Sequence, residues 1–351
     1  MIISEINIIL LYYVKTSNHF SDMYKAIIRP CLFCIDAEKI HNQLVSLFHL
    51  YRHMVPVRRI VRSLYRAKEV TPFSWQHLRF ANRIGLSAGF DKEASCFDEL
   101  SDFGFGFIEV GTITPASISG NPSPRIFRLP KDRALISRTG FNNPGKAIVL
   151  QNLKHKKEGK YILGININTN HPADEALAVA ELTDLYVSFS RYADYYTLNW
   201  GSISPEILGC VLAAFAKVKI QKPIFLKLPA DVPLDKINDI IEFARKHHIG
   251  GFIATGPTQD RCLFVHSTQQ EITEVGAGGI SGMPVLQKSR EVVKYLATHV
   301  SKEMLIIGAG GVTTAEEATS MLQAGAHLVQ IYSAFIYEGP SIVKQMAKAC
   351  P

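Results

Sequence analysis

Two lysines and a run of glycines carry most of the chemistry that can be read from the residues alone. Lys92 closes Ala88-Gly89-Phe90-Asp91-Lys92, and Lys227 sits inside the apolar run 224–228. An ammonium taken out of water needs an anionic or hydrogen-bonding partner, so each lysine calls for a ligand or a carboxylate. For Lys227, Asp231 is the carboxylate close in sequence. Gly308-Ala309-Gly310-Gly311 and Tyr332-Ser333 offer something different. Glycine-rich backbone beside a helix N-terminus can turn several N–H groups on a phosphate, or it can simply make tight turns. Thr112, Asn166, Asn199 and Thr255 add hydroxyl and amide groups at the ends of other apolar runs. Cys31 and Cys34 form a C-x-x-C, but no second pair follows at zinc spacing. Two ordinary thiols and no metal site are therefore expected.

These residues need elements that bring them to one place. Eight short, apolar, β-rich runs occur, at 84–88, 107–111, 161–167, 195–199, 224–228, 251–255, 305–308 and 327–332. Helical patterns such as 234–246 and 314–324 lie between most of them. Near-continuous apolar strands indicate a parallel sheet covered on both faces. Eight βα units suit an α/β fold of the (β/α)8 TIM-barrel type, which typically takes ~250 residues. A doubly wound sheet would want its glycine fingerprint after the first strand, whereas the richest cluster here follows the seventh. In a barrel, the residues named above fall at C-terminal strand ends, where barrel chemistry sits. Glycines after strand seven and a hydroxyl after strand eight match the usual barrel phosphate site.

The chain has 351 residues, 47% hydrophobic and 20% charged, with a net charge of +7. That composition excludes disordered, collagen-like and coiled-coil classes. The charge is uneven: residues 1–82 hold 11 Lys/Arg against 5 Asp/Glu, and the remaining 269 are nearly neutral. Residues 22–70 read as helices. After Pro56, Val57, Ile60, Val61 and Leu64 form an apolar stripe, with Arg58, Arg59, Arg62 and Arg66 mostly on the other side. Such a helix can dock its apolar stripe on the main domain with solvated arginines, or it can lie on a membrane surface. Six cysteines are too sparse for a disulfide framework. The longest apolar candidate, 6–14, falls short of a ~20-residue span. The first 14 residues also lack Lys and Arg, so no cleaved signal is expected.

Several longer motifs are similar to those of the class 2, quinone-dependent dihydroorotate dehydrogenases. They are Gly-Leu-Ser-Ala-Gly-Phe-Asp-Lys (85–92), Phe-Gly-Phe-Ile-Glu-Val-Gly-Thr-Ile-Thr-Pro (105–115) and Gly-Asn-Pro-Ser-Pro-Arg-Ile-Phe-Arg-Leu (120–129). Thr-Gly-Phe-Asn-Asn (139–143), Leu-Gly-Ile-Asn-Ile (163–167), Gly-Gly-Ile-Ser-Gly (278–282) and Val-Gln-Ile-Tyr-Ser (329–333) follow in order. So do Met-Tyr-Lys-Ala-Ile-Ile-Arg-Pro (23–30) and Asp-Ala-Glu-Lys-Ile-His (36–41). The resemblance implies three parts: a tail over 1–22 outside the match, a helical quinone-tunnel extension over 23–75, and an FMN-binding barrel over 76–351. It places FMN against Ala88, Gly89, Thr112, Asn166, Asn199, Lys227, Thr255, Gly282, Gly311, Tyr332 and Ser333. Lys227 would then stabilise the reduced flavin. His41 and Arg128 would line the polar end of the quinone tunnel. The implied reaction is oxidation of dihydroorotate, with a serine base at C5, hydride transfer from C6 to FMN, and quinone as acceptor. Peripheral membrane association follows, on the cytoplasmic face if the source is bacterial, with no nucleic-acid partner.

The substrate segment departs from the family pattern. After strand four the chain reads Asn199-Trp200-Gly201-Ser202-Ile203-Ser204-Pro205-Glu206. Ungapped alignment puts the catalytic serine at Ser202; alignment on Ser-Pro puts it at Ser204. Beside the family pattern, the loop and helix that follow also look about fifteen residues short. The expected substrate contacts are Lys92, Ser137, Arg138, Thr139, Gly140, Phe141, Asn199, Ser204, Gly256 and Pro257. Of the family's four orotate asparagines only Asn199 remains. Ser137 and Gly256 stand at two of the others, and Ser204 or Glu206 at the third. Each lost amide partner weakens binding by roughly 1–3 kcal/mol. The alternatives to dihydroorotate are thus another substrate on the same flavin fold, or a catalytically silent relative.

Overall fold

The computed structural model describes residues 23–157 and 161–351. The tail assigned to 1–22 lies outside them. A π-helical segment (Tyr24–Ile28) and three α-helices open the described chain: α1 (Arg29–Phe33), α2 (Ala37–Tyr51) and α3 (Val55–Tyr65). α2 starts where it does because Asp36 accepts from the N–H groups of Glu38 and Lys39, both at 3.0 Å. α3 carries Pro56 in its first turn, where the missing N–H costs nothing.

A short antiparallel hairpin follows, β1 (Phe73–Trp75) and β2 (Leu78–Phe80). It spans residue 76, so the expected domain boundary falls inside it. The barrel then runs β3 (Ile84–Leu86), α4 (Phe97–Leu100), β4 (Phe107–Ile113), β5 (Ile126–Leu129), β6 (Ala134–Ser137), α5 (Lys146–Leu153), β7 (Ile162–Ile167) and α6 (Glu175–Phe189). It continues through β8 (Tyr195–Asn199), α7 (Pro205–Lys217), β9 (Ile224–Leu228), α8 (Leu234–Lys246), β10 (Gly251–Ala254), α9 (Gln269–Val275) and β11 (Gly279–Gly282). The chain ends with α10 (Leu286–His299), β12 (Leu305–Ala309), α11 (Ala315–Gln323), β13 (Leu328–Ile331), α12 (Ser333–Glu338) and α13 (Ser341–Ala349).

β3, β4, β7, β8, β9, β10, β12 and β13 pair in that order, all parallel, and β13 closes on β3. The sheet is a closed (β/α)8 barrel, as expected, and its strands fall within one or two residues of the eight apolar runs. Hairpin β1–β2 plugs the N-terminal end: Leu78 and Phe80 pack with Phe107, Tyr195, Phe225, Leu305 and Leu328. Tyr195 enters the barrel interior only because residue 164 is glycine. A Cβ there would lie 2.1 Å from its ring. A second sheet, β5–β6–β11, is antiparallel and sits at the opposite, C-terminal mouth. The sequence reading anticipated neither the hairpin nor this sheet.

The basic helix docks the other way round from the first expectation, in which the apolar stripe met the main domain and the arginines were solvated. Arg58 is buried, at 2% exposure, while Val55, Val57 and Ile60 face outward. The reason is a set of three buried acids on α4 and the turn after it. Arg58 Nη2 donates to Asp98 Oδ2 at 2.8 Å, and its Nε donates to Asp102 Oδ2 at 2.6 Å. Arg62 Nε reaches Asp102 Oδ1 at 2.6 Å, and Arg52 Nε reaches Glu99 Oε1 at 2.9 Å. Burying those carboxylates without cations would cost far more than the apolar contact given up. Much of the N-terminal positive charge is therefore spent inside the protein.

Candidate active site

At the C-terminal mouth of the barrel, beneath α1 and α2, lies one continuous cavity of about 1240 Å³. Strand register decides which polar groups meet there. Asn199 on β8 pairs with Lys227 on β9, and Ser137 on β6 pairs with both Ile126 on β5 and Gly279 on β11. All eleven residues assigned to FMN line this one cavity: Ala88, Gly89, Thr112, Asn166, Asn199, Lys227, Thr255, Gly282, Gly311, Tyr332 and Ser333.

Three features fit a flavin mononucleotide. First, among the described residues no acceptor takes the N–H of Gly310 or Gly311. Gly311 has φ +80, and a Cβ there would lie 2.3 Å from the backbone nitrogen of Leu286. Only glycine lets the loop pack this closely against the start of α10, with its backbone N–H groups at the cavity. Second, Asn166 and Asn199 hold each other through paired amide contacts of 3.0 and 3.2 Å, and Asn199 Nδ2 also donates to Thr112 Oγ1 at 3.4 Å. Third, Lys227 Nζ donates to Ser87 Oγ at 3.0 Å and lies 3.9 Å from Glu109 Oε1. Burial pulls the Lys227 ammonium below its ordinary range, and Glu109 pushes it back up. The anticipated alternative, a Lys227–Asp231 bridge, is absent. Asp231 accepts instead from Lys288 at 3.2 Å.

A second, polar chamber surrounds Lys92. Its Nζ donates to Thr139 Oγ1 at 2.9 Å and to Asn142 Oδ1 at 2.5 Å. Burial, with the charge of Arg125 adding to it, pulls this ammonium down to about 8. Ser137, Arg138, Gly140, Phe141, Gly256 and Pro257 line the same cavity. The Arg138 guanidinium itself turns to the carbonyl of Ala277 at 3.1 Å and stacks over Phe127. Asn142 and Gln259 also line the chamber. Neither was singled out from the sequence, although Asn142 stands inside a quoted motif.

Neither candidate serine reaches the cavity wall. Ser204 caps α7, accepting from the Ile207 N–H at 3.3 Å. Ser202 Oγ donates to the Asn199 carbonyl at 2.8 Å. The five residues between β8 and α7 are too few to fold back over the strand ends. Trp200 lines the cavity in their place and packs edge-on against Phe243 at 5.3 Å.

The outer part of the cavity is apolar, walled by Leu32, Phe33, Ile40, Leu44, Val45 and Phe48. His41 and Arg128 stand where it meets the barrel. Burial, reinforced by the charge of Lys92, lowers the His41 pKa, so the ring is neutral at neutral pH. Arg128 Nη1 donates to the Ile35 carbonyl at 2.8 Å, and its guanidinium lies 4.6 Å over the Phe33 ring. Glu38 of α2 is gripped by Arg125 through contacts of 2.6 and 2.9 Å, which ties the helices across the cavity. Among the described residues no helix is long and apolar enough to cross a membrane, and no cluster of side chains is set to hold a metal.

Fold and cavity together define a barrel enzyme with an anion cradle, a buried lysine and an apolar side entrance. The sequence model described as dihydroorotate dehydrogenase matches residues 73–350. Dihydroorotate dehydrogenase (quinone) of Christiangramia forsetii is 36% identical over 338 residues, covering 92% of this chain and 97% of its own. That of Verminephrobacter eiseniae is 38% identical over 346 residues, covering 92% and 94%. The crystal structure of dihydroorotate dehydrogenase from Eimeria tenella in complex with ferulenol superposes with a TM-score of 0.76 at 27% identity, over 90% of each chain. The chain belongs to the dihydroorotate dehydrogenase family, in its class 2, quinone-dependent branch, whose members are FMN flavoproteins.

Proposed function

We propose that this chain oxidises dihydroorotate to orotate and passes the two electrons to a quinone at a membrane surface. The observation that carries this reading is the single cavity that joins the glycine cradle, the Lys92 chamber and the apolar entrance. Bound FMN supplies the two-electron acceptor between the two ends. The residues of the chain do the rest. Gly310 and Gly311 hold the phosphate, and Lys227 presents positive charge where negative charge accumulates. Lys92, Thr139 and Asn142 meet the substrate carboxylate and amide edge, and the tunnel excludes water from all but the quinone. Steady-state assay with dihydroorotate and a short-chain ubiquinone tests the whole cycle. Turnover supports the proposal, and no turnover by FMN-loaded protein contradicts it.

Both serine oxygens bond within the β8–α7 loop and lie outside the cavity lining. We assign the base at C5 to Ser202, which has only to turn from the Asn199 carbonyl, whereas the Ser204 oxygen is committed to capping α7. Ser202→Ala is expected to lower the rate of flavin reduction by roughly 10²–10⁴-fold, the ordinary worth of a general base. Ser204→Ala is expected to cost about 1 kcal/mol of stability with little change in that rate. The opposite pattern, read by stopped-flow and thermal melting, reassigns the base.

Lys92 gives the substrate step a pH signature. It is protonated below about 8 and neutral above, and a carboxylate binds the protonated form better. KM for dihydroorotate is therefore expected to stay flat below about pH 8 and to rise above it, with kcat less affected. Lys92→Met should give a high, pH-independent KM. A wild-type KM that falls above pH 8 is incompatible with this role.

The membrane-facing surface is the apolar one. Ile27, Leu47, Leu50, Met54, Val55 and Ile60 are all more than 40% exposed on the N-terminal helices. Arg59 and Arg66 flank them, while Arg58 is paired inside and Arg62, though partly exposed, is paired to Asp102. Leu47→Ser with Leu50→Ser should reduce co-sedimentation with anionic vesicles several-fold and leave reduction by dihydroorotate unchanged. Equal sedimentation of wild type and variant removes these helices as the membrane contact.

A further inference from the structure

Below the cofactor cavity, inside the barrel, lies a carboxylate that no step above uses. Glu109 on β4 is fully buried. Its Oε2 accepts from Gln330 Nε2 on β13 at 2.8 Å and from the Tyr195 hydroxyl on β8 at 3.2 Å. Its Oε1 accepts from Asn166 Nδ2 on β7 at 3.4 Å and faces Lys227 Nζ on β9 at 3.9 Å. Donors from three strands and an ammonium from a fourth thus converge on one carboxylate.

Lys227 is the cationic half of this pair. Ser87 at the end of β3 gives it a neutral acceptor, and Asn199 beside it on β8 is neutral. Tyr195, the other titratable group at Glu109, is pushed far up by burial and by the carboxylate, so it stays a neutral donor. Among the described residues Glu109 is the charged group that faces Lys227.

We propose that Glu109 is a positioning residue: from the barrel floor it holds the Lys227 ammonium charged and aimed upward at the cofactor. Glu109 never touches the cofactor or substrate. It acts through Lys227, and its own negative charge lies one side chain further from the flavin. The inference rests on FMN occupying the cavity as proposed above.

The test is the midpoint potential of the FMN-loaded protein followed from pH 6 to 9, in wild type and in Glu109→Gln. The amide keeps the shape and an acceptor for Gln330 and Tyr195 while removing the charge. In wild type Lys227 stays protonated in both redox states, so the potential shows no lysine inflection. In Glu109→Gln burial acts on Lys227 unopposed, so the lysine is expected to be neutral while the cofactor is oxidised and to take up a proton on reduction. The potential should then fall more steeply, by about 30 mV per pH unit, which is one further tenfold per pH unit in a two-electron couple. Glu109→Gln with Lys227→Met should lose that extra slope. A Glu109→Gln slope equal to wild type overturns the proposal and leaves Glu109 a packing group. So does a lysine inflection in wild type alone, which needs no variant to fold. A wild-type chain that cannot be loaded with FMN overturns the functional reading first, and its missing flavin absorbance tells that case apart.

Discussion

Lys227→Met is expected to slow reduction of the bound flavin by dihydroorotate by roughly 10²–10³-fold, the usual effect of deleting one preorganised charge from a water-excluded site. The argument is geometric. Lys227 is buried on β9, beside Asn199, and its ammonium is shared between Ser87 at 3.0 Å and Glu109 at 3.9 Å. Neither contact satisfies an ammonium with three donors, so the group is set to meet a further acceptor. Methionine keeps the length and apolar stem, and Gln330, Tyr195 and Asn166 still donate to Glu109, so the rate should fall by far more than the stability does. Anaerobic stopped-flow, monitored in the flavin band, reads it directly. An unchanged rate would remove Lys227 from the chemistry.

Arg58→Ala should be the most damaging change outside the cavity. Arg58 contacts three carboxylates, those of Asp98, Glu99 and Asp102, at 2.8, 3.5 and 2.6 Å, and it also donates to the Asp98 carbonyl at 3.0 Å. Its side chain is 3% exposed, and those of its partners are 3% or less. Removing one member of a buried ionic network leaves uncompensated charge and costs about 3–5 kcal/mol. Arg52, Arg62 and Lys157 also touch these acids and will offset part of that cost. Because the network joins α3 to the barrel, the loss should fall first on the helical module. Thermal denaturation should show a lowered transition, and quinone-dependent turnover should fall further than flavin reduction by dihydroorotate. Arg58→Lys should rescue little, since a single ammonium cannot span acceptors that the guanidinium fork reaches from separate nitrogens. A variant melting with wild type contradicts this account of how the helices are held.

The barrel itself was legible because parallel strands buried on both faces announce themselves as apolar runs, and glycines and lysines mark their exits. The orientation of α3 was not. Helical periodicity separates an apolar from a basic face but cannot say which one meets the domain. That was decided by Asp98, Glu99 and Asp102, some forty residues further along the chain. Ser204 held a legible signal that alignment obscured. A serine before proline at a helix start is an N-cap pattern, and that is the work it does. Glu109 was visible as a lone acid in an apolar strand. Its partners Tyr195 and Gln330 come from distant strands, so only the closed barrel brings them together. The hairpin β1–β2 and the sheet β5–β6–β11 have strands of three or four residues, too short to carry a period.

The substrate remains the point on which the rest depends, because Ser137, Gly256 and Pro257 stand where the family pattern has amides and a hydroxyl. The direct measurement is a single anaerobic mixing of the purified, FMN-loaded protein with dihydroorotate, without quinone. Bleaching of the flavin absorbance with stoichiometric formation of orotate is the expected result, at a substrate concentration raised by the lost amide contacts. A yellow protein that stays fully oxidised at saturating dihydroorotate, yet bleaches with a chemical reductant, would show that the cradle was kept while the substrate was not.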